Sequence, residues 1–173
     1  MTVDDLRIRP AVPGDAAALA RALLRNRDHM KPWEPRRPER YYTTEGQAER
    51  LRDGGVRWLG VDGELVVGAV TLSGIVLGPF RSASMGYWVD RDRTGRGLAT
   101  ALVEEACRGA REELGLHRIQ AGTVPHNHAS QRVLAKGGFE RIGTAPRYLH
   151  IDGAWRDHHL FQRILHDDPP PRS

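Results

Sequence analysis

Apolar side chains recur every four residues in the middle of the chain and form one stripe. Its members are Leu98, Leu102, Ala106, Ala110 and Leu114. This spacing is that of one face of an α-helix, so it predicts a helix over residues 97–114. Gly115 is placed to end that helix, because glycine readily adopts the left-handed conformation that closes many helices.

Shorter stretches carry the patterns of further helices and strands. Helices are predicted over residues 13–28, 44–52 and 127–136. Strands are predicted over residues 6–9, 56–61, 65–72, 84–89, 117–121, 139–142, 147–151 and 155–164. Asp62-Gly63 and Asp152-Gly153 mark tight hairpins between neighbouring strands. Antiparallel hairpins come early and one β-α-β crossover lies in the middle, which predicts a mixed α/β sheet and not a doubly wound one.

The length of 173 residues suits one domain with a sizeable core. We expect residues 1–166 to form that domain. The polar, proline-rich residues 167–173 are expected to be a flexible C-terminal tail. Residues 31–40 contain three prolines among several basic residues, which predicts an irregular loop.

The composition indicates in which cellular compartment the protein works. The single cysteine, Cys107, excludes an internal disulfide and suits a reducing compartment. The N-terminal residues lack the basic and apolar pattern of a signal peptide, and the apolar stretches are too short to cross a bilayer. We therefore expect a cytoplasmic protein that contacts no membrane. His126 and His128 have no third ligand nearby in the sequence, so no metal site is expected.

The formal charge of +4 leaves phosphorylated ligands and nucleic acid open as partners. The arginines are scattered along the chain, which disfavours a nucleic-acid surface and argues against DNA as a partner. A basic RNA-binding or ribosome-binding protein stays an alternative.

A glycine-rich turn, Arg93-Thr94-Gly95-Arg96-Gly97-Leu98-Ala99, precedes the predicted central helix. The first N–H groups of a helix have no internal partners and lie at the positive end of its dipole, so they suit a pyrophosphate. Gly95 and Gly97 let the backbone approach the phosphates, and Arg93 and Arg96 can add charge-assisted contacts. The glycine spacing excludes two other phosphate-binding loops, the P-loop and the dinucleotide fingerprint. A plain strand-to-helix turn stays the alternative for this stretch on its own.

This turn resembles motif A of the GNAT acetyltransferases, which reads Arg/Gln-x-x-Gly-x-Gly/Ala, with Thr94 in place of the usual first residue. Downstream, Asn127–Ser130 and Leu134–Phe139 resemble the Asn-x-x-Ser and Glu-Lys-x-Gly-Phe regions of the same family. Further segments are similar to the RimJ and RimL type of ribosomal-protein-alanine N-acetyltransferases, and to the RimJ type most of all. These segments are Lys31–Pro35, Met85–Trp88, Pro125–Asn127 and Ile151–His158.

The resemblance implies the GNAT fold, a mixed and mostly antiparallel sheet of six to seven strands flanked by about four helices. In that fold the sheet is splayed at the strand before the phosphate loop. The resemblance also implies acetyl-CoA as co-substrate, without a metal. The acceptor is expected to be a protein N-terminal α-amine, and a ribosomal protein or the ribosome is a candidate partner. A small-molecule amine and a non-catalytic CoA-binding module stay alternatives, and the protein is expected to be a monomer or a homodimer.

The resemblance further implies which residues contact CoA. They are Tyr87, Trp88, Val89, Thr94, Gly95, Arg96, Gly97, Leu98, Ala99, Thr100, Asn127, Ser130 and Arg132. The three strand residues would use their backbone, so their side chains remain free to pack against the sheet. Asn127 has helix capping as an equal alternative.

Attack of an amine on a thioester needs a neutral amine and a proton for the leaving thiolate. The resemblance places Ser130 on the helix that lines the thioester, so Ser130 is the expected proton donor, with a half-exposed helix serine as the alternative. Glu34 is expected to act as base or to recognise an ammonium group, with a surface carboxylate among arginines as the alternative. Substrate contacts are expected at Trp33, Glu34, Tyr87 and Asp157, with Asp157 and His158 as alternative bases. Cys107 falls inside the central helix, so a thiol nucleophile is not expected.

Overall fold

The computed structural model describes residues 6–172. Within them the chain forms seven strands and five α-helices. The strands are β1 (Leu6–Pro10), β2 (Val56–Asp62), β3 (Leu65–Val76), β4 (Ser82–Val89), β5 (Arg118–Thr123), β6 (Glu140–Ile151) and β7 (Ala154–Ile164). The helices are α1 (Ala16–Arg25), α2 (Arg27–Met30), α3 (Thr44–Asp53), α4 (Leu98–Glu112) and α5 (His128–Lys136).

The strands form one sheet in the order β1-β2-β3-β4-β5-β7-β6. Every neighbouring pair is antiparallel except β4 and β5, which are parallel and joined through α4. The predicted mixed α/β fold with its central crossover is therefore confirmed. The predicted loop over residues 31–40 is also confirmed, apart from a 3₁₀ turn that begins at Glu39.

Two predicted elements differ in detail from the structure. The helix predicted over residues 13–28 begins with a 3₁₀ turn and is interrupted at Asn26, whose backbone leaves the helical region. The separate strands predicted over residues 139–142 and 147–151 are one strand, β6, with register shifts along its pairing with β7. Arg147 adopts a positive φ of 48° at one of these irregularities, so the chain bends there without leaving the sheet.

The helices cover opposite faces of the sheet. The apolar stripe of α4 packs with α5 against one face, around Trp58, Val70 and Leu72. Helices α1 and α3 cover the other face, around Leu59 and Ala69. Neighbouring residues of β2 and β3 thus enter different cores, as the alternation of a strand requires.

Strands β4 and β5 pair only at their first residues. Ser82–Ser84 pairs with Arg118–Gln120, and no further pairs follow. Beyond Ser84, β4 continues to Val89 with β3 as its partner, while β5 continues along β7. The sheet therefore opens into a wedge beside Met85–Val89, which confirms the predicted splay.

No helix among residues 6–172 has the length and apolar character needed to cross a bilayer. Residues 167–172 lie in neither a helix nor a strand, and residue 173 is outside the described part. The division into a domain over residues 1–166 and a flexible tail stays a prediction.

Helix α4 approaches β2 closely at Gly109. A Cβ at this position would lie 2.9 Å from Cη2 of Trp58, a ring that is only 1% exposed. We expect Gly109→Ala to lower the midpoint of thermal unfolding by a few degrees. Overpacking a core costs about 1–3 kcal/mol, which opposes the gain of about 1 kcal/mol in helix propensity.

Ala101→Gly is the matched control, because Ala101 is exposed on the same helix and reports helix propensity alone. A gain in stability for Gly109→Ala equal to the loss for Ala101→Gly would contradict the prediction. It would mean that a Cβ at position 109 causes no overpacking against Trp58.

Candidate active site

The wedge between β4 and β5 opens into a cavity of about 470 Å³. Its lining comes from both sides of the sheet, since it includes residues of α3 and the loop after α2 as well as Asn127 and Ser130 next to and in α5. Gly86, Tyr87 and Trp88 of β4 form the edge between the two sides. The cavity therefore connects two chemically different surfaces through the gap in the sheet.

Tyr87 and Ser130 form the polar contact on the α5 side. The Tyr87 hydroxyl lies 2.6 Å from Ser130 Oγ and donates to the Ser130 carbonyl at 3.2 Å. Burial raises the pKa of Tyr87 to about 12, although its hydrogen bond with Ser130 acts in the opposite direction. Tyr87 therefore keeps its proton at neutral pH and holds the Ser130 hydroxyl at the cavity wall.

Asn127 caps α5, because its Oδ1 accepts from the Ser130 N–H at 3.2 Å. The side chain thus has the capping role that the sequence left as one of two alternatives. Asn127 also lines the cavity, so its backbone can still contact a ligand there.

Trp33 and Glu34 lie on the other side of the wedge, in the loop that follows α2. Both line the cavity, and the Trp33 ring lies 5.3 Å from the His126 ring. Burial raises the pKa of Glu34, although Arg37 and Arg50 lower it in part. A carboxyl with a raised pKa is a better proton acceptor, which is what a general base working near neutral pH requires.

Five polar residues on this side were missed by the sequence reading: Arg37, Tyr41, Gln47, Arg50 and Arg57. Arg37 and Arg50 hold their guanidinium carbons 4.9 and 5.1 Å from the centre of the Tyr41 ring. Arg57 donates from Nε to Thr71 Oγ1 at 3.0 Å. The one signal for these polar residues was Arg57 itself, a charged residue directly before the run Trp58–Val61, which has no polar side chain.

The phosphate loop lies at the N-terminus of α4. Gly97 is the N-cap residue with a φ of 80°, and no side chain caps the helix. Gly95 has a φ of 72°, and a Cβ on either glycine would meet no protein atom within 4 Å. These glycines are therefore required for a left-handed backbone beside open space, and not for packing within the protein.

The residues around the loop differ in what they can offer a ligand. Thr94 and Arg96 are exposed, as is Arg132 on α5, whereas Ala99 and Thr100 are half-buried in the first turn of α4. Leu98 is buried against Gly60 and Gly68, so only its backbone can reach a ligand. Arg93 donates to Asp62 Oδ2 at 2.8 Å, so its side chain ties the loop to β2 and is not free as the sequence suggested.

The strand residues are divided between the two faces of the sheet. Tyr87 and Val89 pack against the core beneath α4, and Trp88 packs against the core beneath α1. These side chains therefore pack against the sheet, which leaves the backbone of β4 to contact a ligand in the wedge.

Asp157 is not brought to the cavity. It is exposed on β7 and accepts from the Arg147 N–H at 2.8 Å, which holds the irregular part of β6. His158 does line the cavity, is only 3% exposed and has Nδ1 3.1 Å from the Arg156 carbonyl. Within residues 6–172, no group of three or more His, Cys, Asp or Glu side chains is arranged to hold a metal ion.

A buried polar cluster holds the end of β4, from which the phosphate loop starts. Asp90 is 2% exposed and accepts from Arg25 Nε at 3.0 Å and from Asn26 Nδ2 at 2.9 Å. Asn26 is fully buried, and its Oδ1 accepts from the Arg91 N–H at 2.9 Å. Burial alone would raise the pKa of Asp90, but hydrogen bonds from Asn26, the Asp92 N–H and Arg25 outweigh burial and lower it. The same cluster explains why α1 stops at Asn26.

Residues 5–140 match the family described as the acetyltransferase (GNAT) domain. The chain is 35% identical to ribosomal protein uS5-alanine N-acetyltransferase of Escherichia coli K12, over 99% of this chain and 94% of that protein.

Two solved structures are similar in fold and sequence. Ribosomal-protein-S5-alanine acetyltransferase from Vibrio fischeri is 33% identical, with a TM-score of 0.92 over 99% of this chain and 98% of that one. Mycobacterium smegmatis RimJ, solved in complex with CoA-disulfide, is 34% identical, with a TM-score of 0.82 over 92% and 81% of the two chains.

The cluster around Asp90 generates a stability prediction. Asn26→Ala removes one donor to the Asp90 carboxylate and the acceptor of the Arg91 N–H. We expect it to lower the free energy of unfolding by about 2–4 kcal/mol, the sum of one charged and one neutral hydrogen bond. Denaturant unfolding at neutral pH measures this loss.

Asn26→Asp tests the charge directly, because it places a second carboxylate beside Asp90. It should be more harmful than Asn26→Ala at pH 7. Repulsion raises the pKa of one carboxyl of the pair, so the difference between the variants should shrink as acidification protonates that group. Equal stability of both variants at all pH values would contradict a charged Asp90.

Proposed function

Because the chain belongs to the GNAT acetyltransferase family and is thus an acyltransferase, we propose that it transfers an acetyl group from acetyl-CoA to the N-terminal α-amine of a protein. The observation that carries the proposal is the wedge beside Met85–Val89, which leaves one side of β4 without a partner strand. The similarity to ribosomal-protein-alanine acetyltransferases supports a ribosomal protein as the acceptor.

The donor fits three consecutive features of the structure. Its pyrophosphate suits the uncapped N-terminus of α4, where Gly95 and Gly97 leave open space. Its pantetheine arm suits the unpaired backbone of β4. Its thioester then lies where the wedge meets Ser130, next to the cavity that opens toward Glu34. Donor and acceptor therefore enter from opposite faces of the sheet and meet in the gap.

The reaction follows from this arrangement as a direct attack in a ternary complex. Glu34 takes a proton from the ammonium group, directly or through a water, and the neutral amine attacks the thioester carbonyl carbon. A backbone N–H of β4 polarises the carbonyl oxygen. As the carbon–sulfur bond breaks, the sulfur leaves with the electron pair and takes the proton of the Ser130 hydroxyl. The acylated nitrogen still carries one proton more than an amide, and it gives this proton to Ser130 Oγ, which restores the hydroxyl. Tyr87 holds that hydroxyl in place through their 2.6 Å contact.

A covalent intermediate on cysteine is not part of this mechanism. Cys107 is 3% exposed inside α4, and burial raises the pKa of its thiol to about 11. A buried thiol that stays protonated at neutral pH is a poor nucleophile.

The proposal is tested by measuring CoA release from acetyl-CoA with peptides that begin with alanine and by locating the acetyl group by mass spectrometry. We expect the acetyl group on the α-amine. Turnover of small amines alone would show that the acceptor is not a protein N-terminus, and tight CoA binding without any turnover would show a binding module.

The loop predicts a difference between two glycines of similar conformation. Gly97→Ala and Gly153→Ala both force alanine into a left-handed backbone, with φ values of 80° and 85°, and neither Cβ meets another atom. The loss in stability should therefore be similar. CoA affinity should fall roughly tenfold to a hundredfold only in Gly97→Ala, since a Cβ there keeps the phosphates from charge-assisted contacts. Calorimetric titration with CoA measures the affinity of each variant. Equal affinities would contradict the placement of the pyrophosphate at the N-terminus of α4.

The base is tested by Glu34→Gln. Loss of a general base should lower kcat by roughly a hundredfold to ten-thousandfold, with CoA affinity unchanged. In the parent enzyme, activity should rise with pH through a pKa above that of an ordinary glutamate, and this rise should disappear in the variant. Glu45→Gln, an exposed position on α3, should leave the profile as it is. An unchanged profile in Glu34→Gln would assign the base to another group.

A further inference from the structure

The acceptor side of the cavity carries more positive than negative charge. Arg37, Arg50 and Arg57 line it, and Glu34 is the one carboxylate among the described residues that line it. Seven other arginines within residues 6–172 form ion pairs with carboxylates, whereas these three form none. Other arginines, most of them exposed, also form no ion pair, but these three line one wall of a cavity in which Glu34 is the one described carboxylate, so positive charge exceeds negative charge there.

Several polar atoms of this wall are buried without a hydrogen bond to any described residue. They are Nε of Arg37, Nε of Arg50 and Oε1 of Gln47. Gln47 is itself only 1% exposed, with its Nε2 bound to the Tyr41 carbonyl at 2.6 Å. Burying such groups unpaired costs free energy, so a ligand that supplied hydrogen-bond partners to them would be bound more tightly.

The guanidinium groups are also held in place. Arg37 and Arg50 both lie about 5 Å from the centre of the Tyr41 ring, and Arg57 is fixed by Thr71. Burial lowers the pKa of Arg57, and the charge of Arg50 lowers it further. Planar guanidinium groups fixed in this way match the two oxygens of a carboxylate.

The three arginines lie on the other side of the sheet from the loop that would bind the phosphates of the donor. Arg57 pairs in register with Thr71, and Thr71 with Gly86, on the side of the sheet that α1 and α3 cover. The phosphate loop begins α4 on the opposite side. The three arginines are therefore available to the acceptor.

Resting on the proposed function, we infer that the acceptor N-terminus carries an acidic side chain within its first few residues, and that this carboxylate binds between Arg37, Arg50 and Arg57. Arg37 and Arg50 are also the charges that act on Glu34, so the acidic side chain lies close to the reacting amine. Gln47 Oε1 remains as an acceptor for a peptide N–H. A polyamine, which brings only positive charge, is disfavoured by the same wall.

The test compares peptides that begin with alanine and carry glutamate, glutamine or lysine as the second, third or fourth residue. The parent enzyme should prefer the best glutamate peptide to its glutamine isostere by roughly tenfold to a hundredfold in kcat/KM, the value of a charge-assisted hydrogen bond. Arg50→Gln and Arg37→Gln should each remove most of this preference without changing CoA affinity. Arg52→Gln, an exposed position on the same helix as Arg50, should retain it.

The outcomes separate this inference from the proposed function. Equal kcat/KM for glutamate and glutamine peptides would overturn the inference and leave N-terminal acetylation standing. A preference that survives in both Arg50→Gln and Arg37→Gln would overturn the assignment to these arginines. Free amino acids turned over better than every peptide would overturn both, because the arginines would then bind an α-carboxylate.

Discussion

The divergence of β4 from β5 is the constraint on which the rest of this structure depends. Two parallel strands that pair over three residues and then separate leave backbone groups without ladder partners, and such groups are costly unless solvent or a ligand satisfies them. The chain places its distinctive chemistry around this gap. Ser130 and Tyr87 lie on one side, and Glu34 with the arginines lies on the other.

The divergence has to be held in position, and the buried cluster around Asp90 does this. It joins the end of α1 to the end of β4, over 65 residues of sequence, with hydrogen bonds that water cannot easily replace. The loop that follows starts from a fixed point, and the ion pair between Arg93 and Asp62 ties it to β2. A loop supported in this way presents its backbone in one orientation. This raises the affinity for a charged ligand, because less conformational entropy is lost on binding.

Local patterns were sufficient for much of the fold. The four-residue repeat of α4 and the Asp-Gly turns depend on neighbours in sequence, and these elements lie where the patterns predicted them. The resemblance to a family added the splayed sheet, which no periodicity reveals. The break at Asn26 was not predictable, because it depends on Asp90, which is distant in sequence. The grouping of Arg37, Arg50 and Arg57 was missed for the same reason, since they come from a loop, a helix and a strand that are distant in sequence.

Because β4 and β5 pair over only three residues, a ligand bound beside β4 can also contribute to the structure of the sheet. Beyond Ser84, the side of β4 that faces β5 has no neighbouring strand among the described residues. A pantetheine arm contains amide linkages, so it can form hydrogen bonds with the backbone of β4 as a neighbouring strand would. A donor bound as proposed would complete the sheet during each turnover, and its release would leave the sheet interrupted again.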